Sequence, residues 1–357
     1  MLQNWLKPVQ LQVPEPQNGT LGEHIDTWRN DFPNLKKAKI ALLGADEKAA
    51  DRIRAALYPL SNTFKKTAIA DIGNLRKPDP ELLIPVIYEL LSGKIVPVII
   101  GADERLIKAQ FLAYQNAKAL VNLAVIDEKL RQNESDYSAL LQARHPLLFQ
   151  FGLVGCQSHF MLPEQQRFLE KNHFDVVRLG KSRAAIEETE PVLRDADLLA
   201  FHLSALKQSD AAAVDSPSPA GFSWEEACQL SRYAGMSDKL SSFGIYGYQP
   251  KRDREAISAQ GIAQMIWYFI EGVQQRVHDY PASSSGLTEY IVDFRGVQYQ
   301  LTFWRSTKSG RWWMQVPDAK NKKHERHRLV PCSLQDYQAA CRDELPERLL
   351  QALQRFS

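Results

Sequence analysis

Between Lys39 and Val277, short and almost wholly apolar segments alternate with stretches of helical spacing. This alternation constrains the chain more than any other feature. The first apolar segment is Lys39-Ile-Ala-Leu-Leu-Gly44, followed by a helical stretch from Glu47 to Leu57, with Ile53 and Leu57 on one face. Strand-like runs recur at Thr67–Gly73, Ile95–Gly101, Ala119–Asp127, Phe151–Gly155, Asp175–Leu179, Leu198–Leu203 and Leu240–Tyr246. Helical patterns lie between or after them at Glu81–Ser92, Glu104–Ala117, Pro163–Lys171, near Ala184, at Ser223–Ala234 and from about Ala256 to Val277. Apolar runs without polar alternation are strands buried on both faces, which is the condition of a parallel sheet covered by helices. About eight such units predict an α/β, three-layer domain with a mostly parallel sheet, a closed eight-fold barrel being the rival.

The material on either side differs. Residues 1–35 are rich in Pro and Gln with little periodicity, and read as an arm lying on the main body of residues 36–282. Residues 283–357 form a third unit. There Glu289–Phe294, Val297–Trp304 and Arg311–Val316 alternate with period two, with Arg295-Gly296 and Lys308-Ser309-Gly310 as turns, which predicts an antiparallel β-meander. A basic loop from Lys320 to Arg328 and terminal helices are expected after it. From Ser283 onward there are 12 Lys and Arg against 8 Asp and Glu, although the whole 357-residue chain carries only +2.

That near-neutral balance argues against an obligate nucleic-acid or membrane-surface protein. No stretch approaches the roughly 20 apolar residues of a membrane span, and the N-terminal residues lack the basic and apolar regions of a signal peptide. Cys156, Cys228, Cys332 and Cys341 are scattered and form no C-x-x-C pair, so a reducing cytoplasm is the expected home.

Ligands of parallel sheets bind outside the carboxyl ends of the strands. Those ends read Gly101-Ala-Asp-Glu-Arg105, Ile126-Asp-Glu-Lys-Leu-Arg131, Phe201-His-Leu-Ser204 and Tyr246-Gly-Tyr-Gln-Pro250. Their order, together with Ala70-Asp-Ile-Gly-Asn-Leu75 and Ser218-Pro-Ala-Gly-Phe-Ser-Trp-Glu-Glu-Ala-Cys228, resembles the ureohydrolases: arginase, agmatinase and especially formimidoylglutamase. The resemblance runs from about Lys39 to Val277 and implies an arginase-like fold. It also implies a homo-oligomer, and metal-dependent hydrolysis of a linear amidine or guanidine C–N bond.

The resemblance lies in pattern rather than in catalytic identity. The family holds two manganese ions with a Gly-Gly-Asp-His-Ser, an Asp-Ala-His-x-Asp and a Ser-Phe-Asp-x-Asp motif. By resemblance, Glu104 stands at the first histidine, and Asp127 keeps the first aspartate of the second motif. Lys129 and Arg131 replace its histidine and last aspartate, and His202 and Ser204 stand at the aspartates of the third. Gly247 takes the place of a glutamate that holds the substrate's cationic end, and the loop bearing a proton-shuttling histidine has no counterpart between Asn133 and His145.

Two divalent cations need several carboxylates at close range, whereas two of these positions are permanent cations. Lys129 and Arg131 are therefore expected to pair with Glu104 or Asp127 where metal would be. No cofactor is then expected, nor the metal-activated hydroxide that this chemistry requires. The favoured function is a non-catalytic relative that binds a protein or small molecule, or acts as a scaffold, through an emptied cleft, the tail, or both.

Other readings stay open at this level. Lys129 and Arg131 can be a solvated rim, and His202 a core histidine satisfied by a backbone carbonyl. Glu104, Asp127 and His202 can form a reduced site for one zinc or manganese ion, which would retain a remodelled hydrolase. Cys156 with His159 lacks the third partner of a nucleophilic pair. Gly44-Ala-Asp is no dinucleotide fingerprint. His324 and His327 belong by default to a flexible basic loop. Trp304, Trp312 and Trp313 can stack single-stranded nucleic acid or anchor a partner protein, but aromatic packing against the main domain is the expectation.

Overall fold

A computed structural model describes residues 2–11, 17–64, 66–116, 120–131, 137–280, 285–293, 300–316 and 326–356. All eight expected strands are present in one open sheet: β3 (Ile40–Gly44), β4 (Ile69–Leu75), β5 (Val96–Ala102), β6 (Val121–Ile126), β7 (Leu148–Cys156), β8 (Asp175–Arg178), β9 (Leu198–His202) and β10 (Ser242–Tyr246). They are parallel throughout, in the order β4-β3-β5-β10-β9-β6-β7-β8. The sheet does not close, so the barrel is excluded.

Its strands are buried from end to end, as their unbroken apolar character requires. Successive residues serve opposite faces. In β3, Ile40 and Leu42 pack into one hydrophobic cluster, and Ala41 and Leu43 into another on the opposite side. Helices α2 (Glu47–Leu57), α9 (Trp224–Met236) and α10 (Ile257–Gln274) cover the first face. Helices α3 (Pro80–Ser92), α4 (Leu106–Leu112), α5 (Ser138–Gln142) and α6 (Pro163–Lys171) contribute to the second. Local signals explain where several of these helices start. Asp46 accepts from the Ala49 amide ahead of α2, Pro80 and Pro163 occupy first-turn positions, and Ser223 and Glu226 form a reciprocal capping box at α9. The arm holds α1 (Leu21–His24), and the remaining helices of the body are α7 (Leu179–Ala184) and α8 (Glu190–Asp195).

The N-terminal arm does more than lie on the body. It adds β1 (Leu6–Lys7), antiparallel to β4, and β2 (Asp26–Thr27), parallel to β4, making the sheet ten-stranded. Two-residue strands are too short to show a period, so the sequence pattern carried no sign of them. Beside them Arg54, fully buried, donates through Nε and Nη2 to the two oxygens of Asp71 (2.7 and 2.9 Å), and Tyr58 donates to the same carboxylate.

The tail forms a second, antiparallel sheet of β11 (Leu287–Asp293), β12 (Gln300–Ser306), β13 (Trp312–Gln315) and β14 (Leu329–Cys332), followed by α11 (Leu334–Cys341) and α12 (Glu347–Phe356). The three expected strands are thus joined by a fourth, formed as the chain returns from the basic loop. The Arg295-Gly296 turn, His324 and most of that loop lie outside the described residues. Among the described residues no helix is long and apolar enough to cross a membrane.

The tail sheet is fastened to the body through Arg194 of α8. Its guanidinium donates to the carbonyls of Trp312 and Cys332 (3.1 Å each) and lies 4.5 Å from the centre of the Trp313 ring. Arg326 reaches Asp197 of the body, and His327 stacks on Phe149 with ring centres 4.0 Å apart. This settles what the tryptophans do. Trp312 and Trp313 are buried, Trp312 stacking on Tyr337 at 4.7 Å. Trp304 is half-buried and donates to Gln315. Among the described residues, Trp312 and Trp313 therefore offer no exposed stacking platform, because the sheet uses these rings to cover its own face.

Candidate functional site

Four strands that are dispersed in sequence lie side by side in the middle of the sheet, as β5-β10-β9-β6. Being parallel, they bring Glu104, Gly247, His202 and Asp127 to the same edge. Glu104 sits in the turn after β5, Asp127 directly after β6, His202 at the end of β9, and Gly247 directly after β10. Ser204 follows in a single helical turn, Leu203–Ala205, capped when its own amide donates to His202 Nδ1.

Arg131 lies at the centre of this group, folded back from the turn after β6. Its Nε donates to Asp127 Oδ2 at 2.7 Å, and Nη2 donates to His202 Nδ1 (2.8 Å) and Ser204 Oγ (3.1 Å). Its Nη1 faces Glu104 Oε1 at 3.7 Å. Burial, the largest single influence, works against the charge of this guanidinium, but Asp127, Tyr137 and Glu104 together outweigh it, so its pKa is raised. Asp127 is fully buried and has both oxygens engaged. Oδ1 accepts from the Glu128 amide (2.8 Å) and Ser204 Oγ (2.7 Å), and Oδ2 from Arg131. The pairing resembles that of Arg54 with Asp71, a purely internal contact elsewhere in the same domain.

The tautomer of His202 follows from its neighbours. A guanidinium can only donate, so Nδ1 is the acceptor and the ring proton sits on Nε2. Nε2 faces Glu104 Oε2 at 3.8 Å. The His202 ring, helped by Glu104's own backbone N–H and by Arg131, holds the Glu104 carboxyl down at about 2 despite its partial burial. Gly247 adopts φ +81°, and a Cβ there would lie 2.5 Å from His202 Cε1 and Nε2. The glycine therefore makes room for the imidazole, and any larger side chain would displace it.

Two expectations are corrected here. Lys129 does not join the cluster. It turns outward, 3.6 Å from Glu128 and 5.9 Å from the Phe160 ring, and is a rim residue after all. His202 Nδ1 accepts from Arg131 and the Ser204 amide, whereas its buried Nε2 reaches no backbone carbonyl and has no hydrogen-bond partner among the described residues. The pattern also gave no sign of Glu128, whose side chain is buried with Oε2 unpartnered; burial raises its carboxyl pKa, against the pull of Lys129. Its place between two matched positions, Asp127 and Lys129, was the available clue.

The remaining space is small. A cavity of about 50 Å³ adjoins Glu104, Glu128, Arg131, His202 and Gly247, so the crevice is closed rather than emptied. Among the described residues, no group of three or more His, Cys, Asp or Glu side chains is arranged to hold a metal ion. Cys156 and His159 make no catalytic pair. The thiol is buried, which pushes it up to about 11, whereas His159 is exposed.

No family model matches the sequence, and no curated protein does. Solved structures do match by shape. A formiminoglutamase of Trypanosoma cruzi, solved with Mn²⁺, aligns with a TM-score of 0.61 at 18% identity, covering 69% of this chain and 100% of that one. A formimidoylglutamase of Bacillus subtilis gives 0.64 at 16% identity, over 77% and 98%. An agmatine ureohydrolase of Thermoplasma volcanium gives 0.56 at 15%, over 72% and 95%. The arginase-like fold expected from the strand-end pattern is the fold observed.

Proposed function

We propose that this chain, built on the fold of formiminoglutamase and agmatine ureohydrolase, is a non-catalytic binding or scaffolding protein whose dimanganese centre has given way to an internal ion-pair cluster. One observation carries the reading: the Arg131 guanidinium lies between Asp127, His202 and Ser204, at strand ends where the family resemblance would put metal ligands. The donor set does not fit manganese. A hard dication takes carboxylate oxygens and excludes a fixed cation from its neighbourhood. Here both oxygens of Asp127 are already committed, and His202 Nδ1 accepts from an arginine. The reduced site of Glu104, Asp127 and His202 meets the same obstacle, since Arg131 contacts all three.

The roles of the residues are then structural. Arg131 neutralises Asp127 and Glu104, His202 and Ser204 complete its hydrogen bonds, and Gly247 leaves space for the imidazole. Because the crevice is nearly filled, binding is assigned to other surfaces. Cytoplasmic residence, expected from the scattered cysteines, and a homo-oligomer, which the resemblance implies, belong to the same proposal; sedimentation would report the latter.

Elemental analysis of the full chain purified in excess Mn²⁺ tests the central claim, with substoichiometric metal as the expected result. Two metal ions per chain would overturn it. So would release of formamide, urea or ammonia from formimino or guanidino compounds, provided that Asp127→Ala abolished it. That second outcome would establish a remodelled hydrolase instead.

A further inference from the structure

The same row of strand ends holds a second and larger space. A cavity of about 550 Å³ opens at the β7–β8 edge of the sheet, against about 50 Å³ beside Arg131. Its floor is apolar, from Cys156 at the end of β7, Leu169 of α6, Phe174, and Val176 of β8. The tail helix α12 is the facing wall and presents Leu350, which is 44% exposed.

We infer that this cavity is a binding site for a small amphipathic anion, an apolar body carrying one carboxylate- or sulfonate-like group. Ligand sites are concave, largely apolar spaces of roughly 300–1,000 Å³ with a few polar groups, and in parallel sheets they lie outside the carboxyl ends of strands. This cavity has that size, adjoins the ends of β7 and β8 at Cys156 and Arg178, and joins its apolar floor to a polar wall of Ser158, Gln166, His173, Gln351 and Gln354.

The walls are preformed rather than loosely apposed. Leu349 and Ala352 bury one face of α12 in the tail's core. Arg355 pairs with Asp175 of β8 at 3.3 Å, and Arg348 with Glu188 at 3.3 Å and Asp336 at 2.7 Å. A helix so anchored holds Leu350 in place over the cavity without ligand, which lowers the ordering cost of binding.

Charge at the rim selects the sign of the ligand. Lys181 and Glu347 face each other at 3.6 Å and offset one another. Arg178, at the end of β8, is exposed and makes no ion pair or side-chain hydrogen bond among the described residues. An unpaired guanidinium beside an apolar floor offers fork-like donors to a planar or trigonal anion. Glu170, on the α6 rim, is the one opposing charge without an ion-pair partner among the described residues. The Cys156 thiol stays protonated at neutral pH, being pushed up to about 11 by burial, and so acts as apolar floor.

Anilinonaphthalene sulfonate, an aromatic anion, and phenylnaphthylamine, its uncharged analogue, test this by fluorescence titration of the full chain. The anion is expected to saturate at one molecule per chain. Arg178→Glu is expected to weaken it about tenfold while changing the neutral probe less than about twofold, the difference a single rim charge makes. Leu350→Asp should weaken both probes, and Glu170→Gln should not weaken the anion. Both Arg178 and Leu350 are exposed, so thermal melting can verify that the variants remain folded. Unsaturable uptake, or anion binding unchanged by both Arg178→Glu and Leu350→Asp, would overturn the assignment. Failure of the anion to bind because a second copy of the chain covers the cavity, seen as a concentration-dependent dimer, would do the same.

Discussion

At the middle of the sheet Arg131 fills the crevice between β6 and β9, whereas at the β8 edge the strand ends face a cavity of about 550 Å³. Both places share one backbone geometry, parallel strands ending at a common level, which by itself provides a crevice. The side chains decide whether it stays open. At the centre a long cation folds back onto a fully buried carboxylate, and the cost of burying that charge is offset only by contact. At the edge the floor is built from Cys156, Val176 and Phe174, and the opposing wall comes from Leu350 of a helix 174 to 194 residues further along the chain. A crevice closed by ion pairing is rigid and specific to its own residues. One walled by apolar surface is available to something else.

The largest effect that would break this comparison is expected at Arg131. Arg131→Ala strands Asp127 as a buried, unpaired charge and should destabilise the protein by about 3–5 kcal/mol, measured by urea unfolding. The Asp127→Asn, Arg131→Gln double variant should recover much of that loss. If Arg131→Ala proved neutral, the cluster would be a surface feature rather than a closed core.

Gly247→Glu comes next. A side chain there meets the His202 ring at 2.5 Å from Cβ onward and must also hold φ +81°. The expected cost is about 2–3 kcal/mol, read as a lower melting temperature. Gly247→Ala should retain part of the penalty.

A smaller effect is expected at Glu104, and it depends on pH. Its carboxyl lies at about 2 in the folded chain against 4.5 ordinarily, so its contribution is present above 4.5 and is lost as pH falls from 4.5 toward 2. Since its side chain is 28% exposed, the contribution at neutral pH is about 1–2 kcal/mol after allowing for solvent screening. Glu104→Gln should remove that part of the acid dependence, visible in stability curves for the two proteins between pH 5 and pH 2. Arg178→Glu should have the smallest effect on stability, within about 0.5 kcal/mol, because an exposed group without a partner contributes little to the folded state. A large loss there would mean that Arg178 braces α12 instead of waiting for a ligand.

How far the sequence could be read depended on the range of the interactions involved. The eight apolar runs appeared as eight strands, and α2 and α6 have the bounds that their spacing implied. That Glu104, Asp127, His202 and Gly247 share one edge of the sheet was legible too, because each follows an apolar run. Pairing at the site was legible only in part. Lys129 and Arg131 share one turn and one charge, yet only Arg131 reaches Asp127, its direction set by how the turn leaves β6. The arm's strands went unseen because two residues carry no period, and β14 because pairing with β13, not its own pattern, makes it a strand.

The sequence by itself therefore determined the layered α/β architecture and the residue types at the central strand ends, since helical and strand periods and residue types are local properties. Tertiary structure alone decided that Arg131 closes the central crevice, that Trp312 and Trp313 face inward, and that α12 walls a cavity over β7 and β8. Each of those depends on contacts between segments far apart in the chain, and the direction and burial of a side chain are fixed only once its distant neighbours are in place.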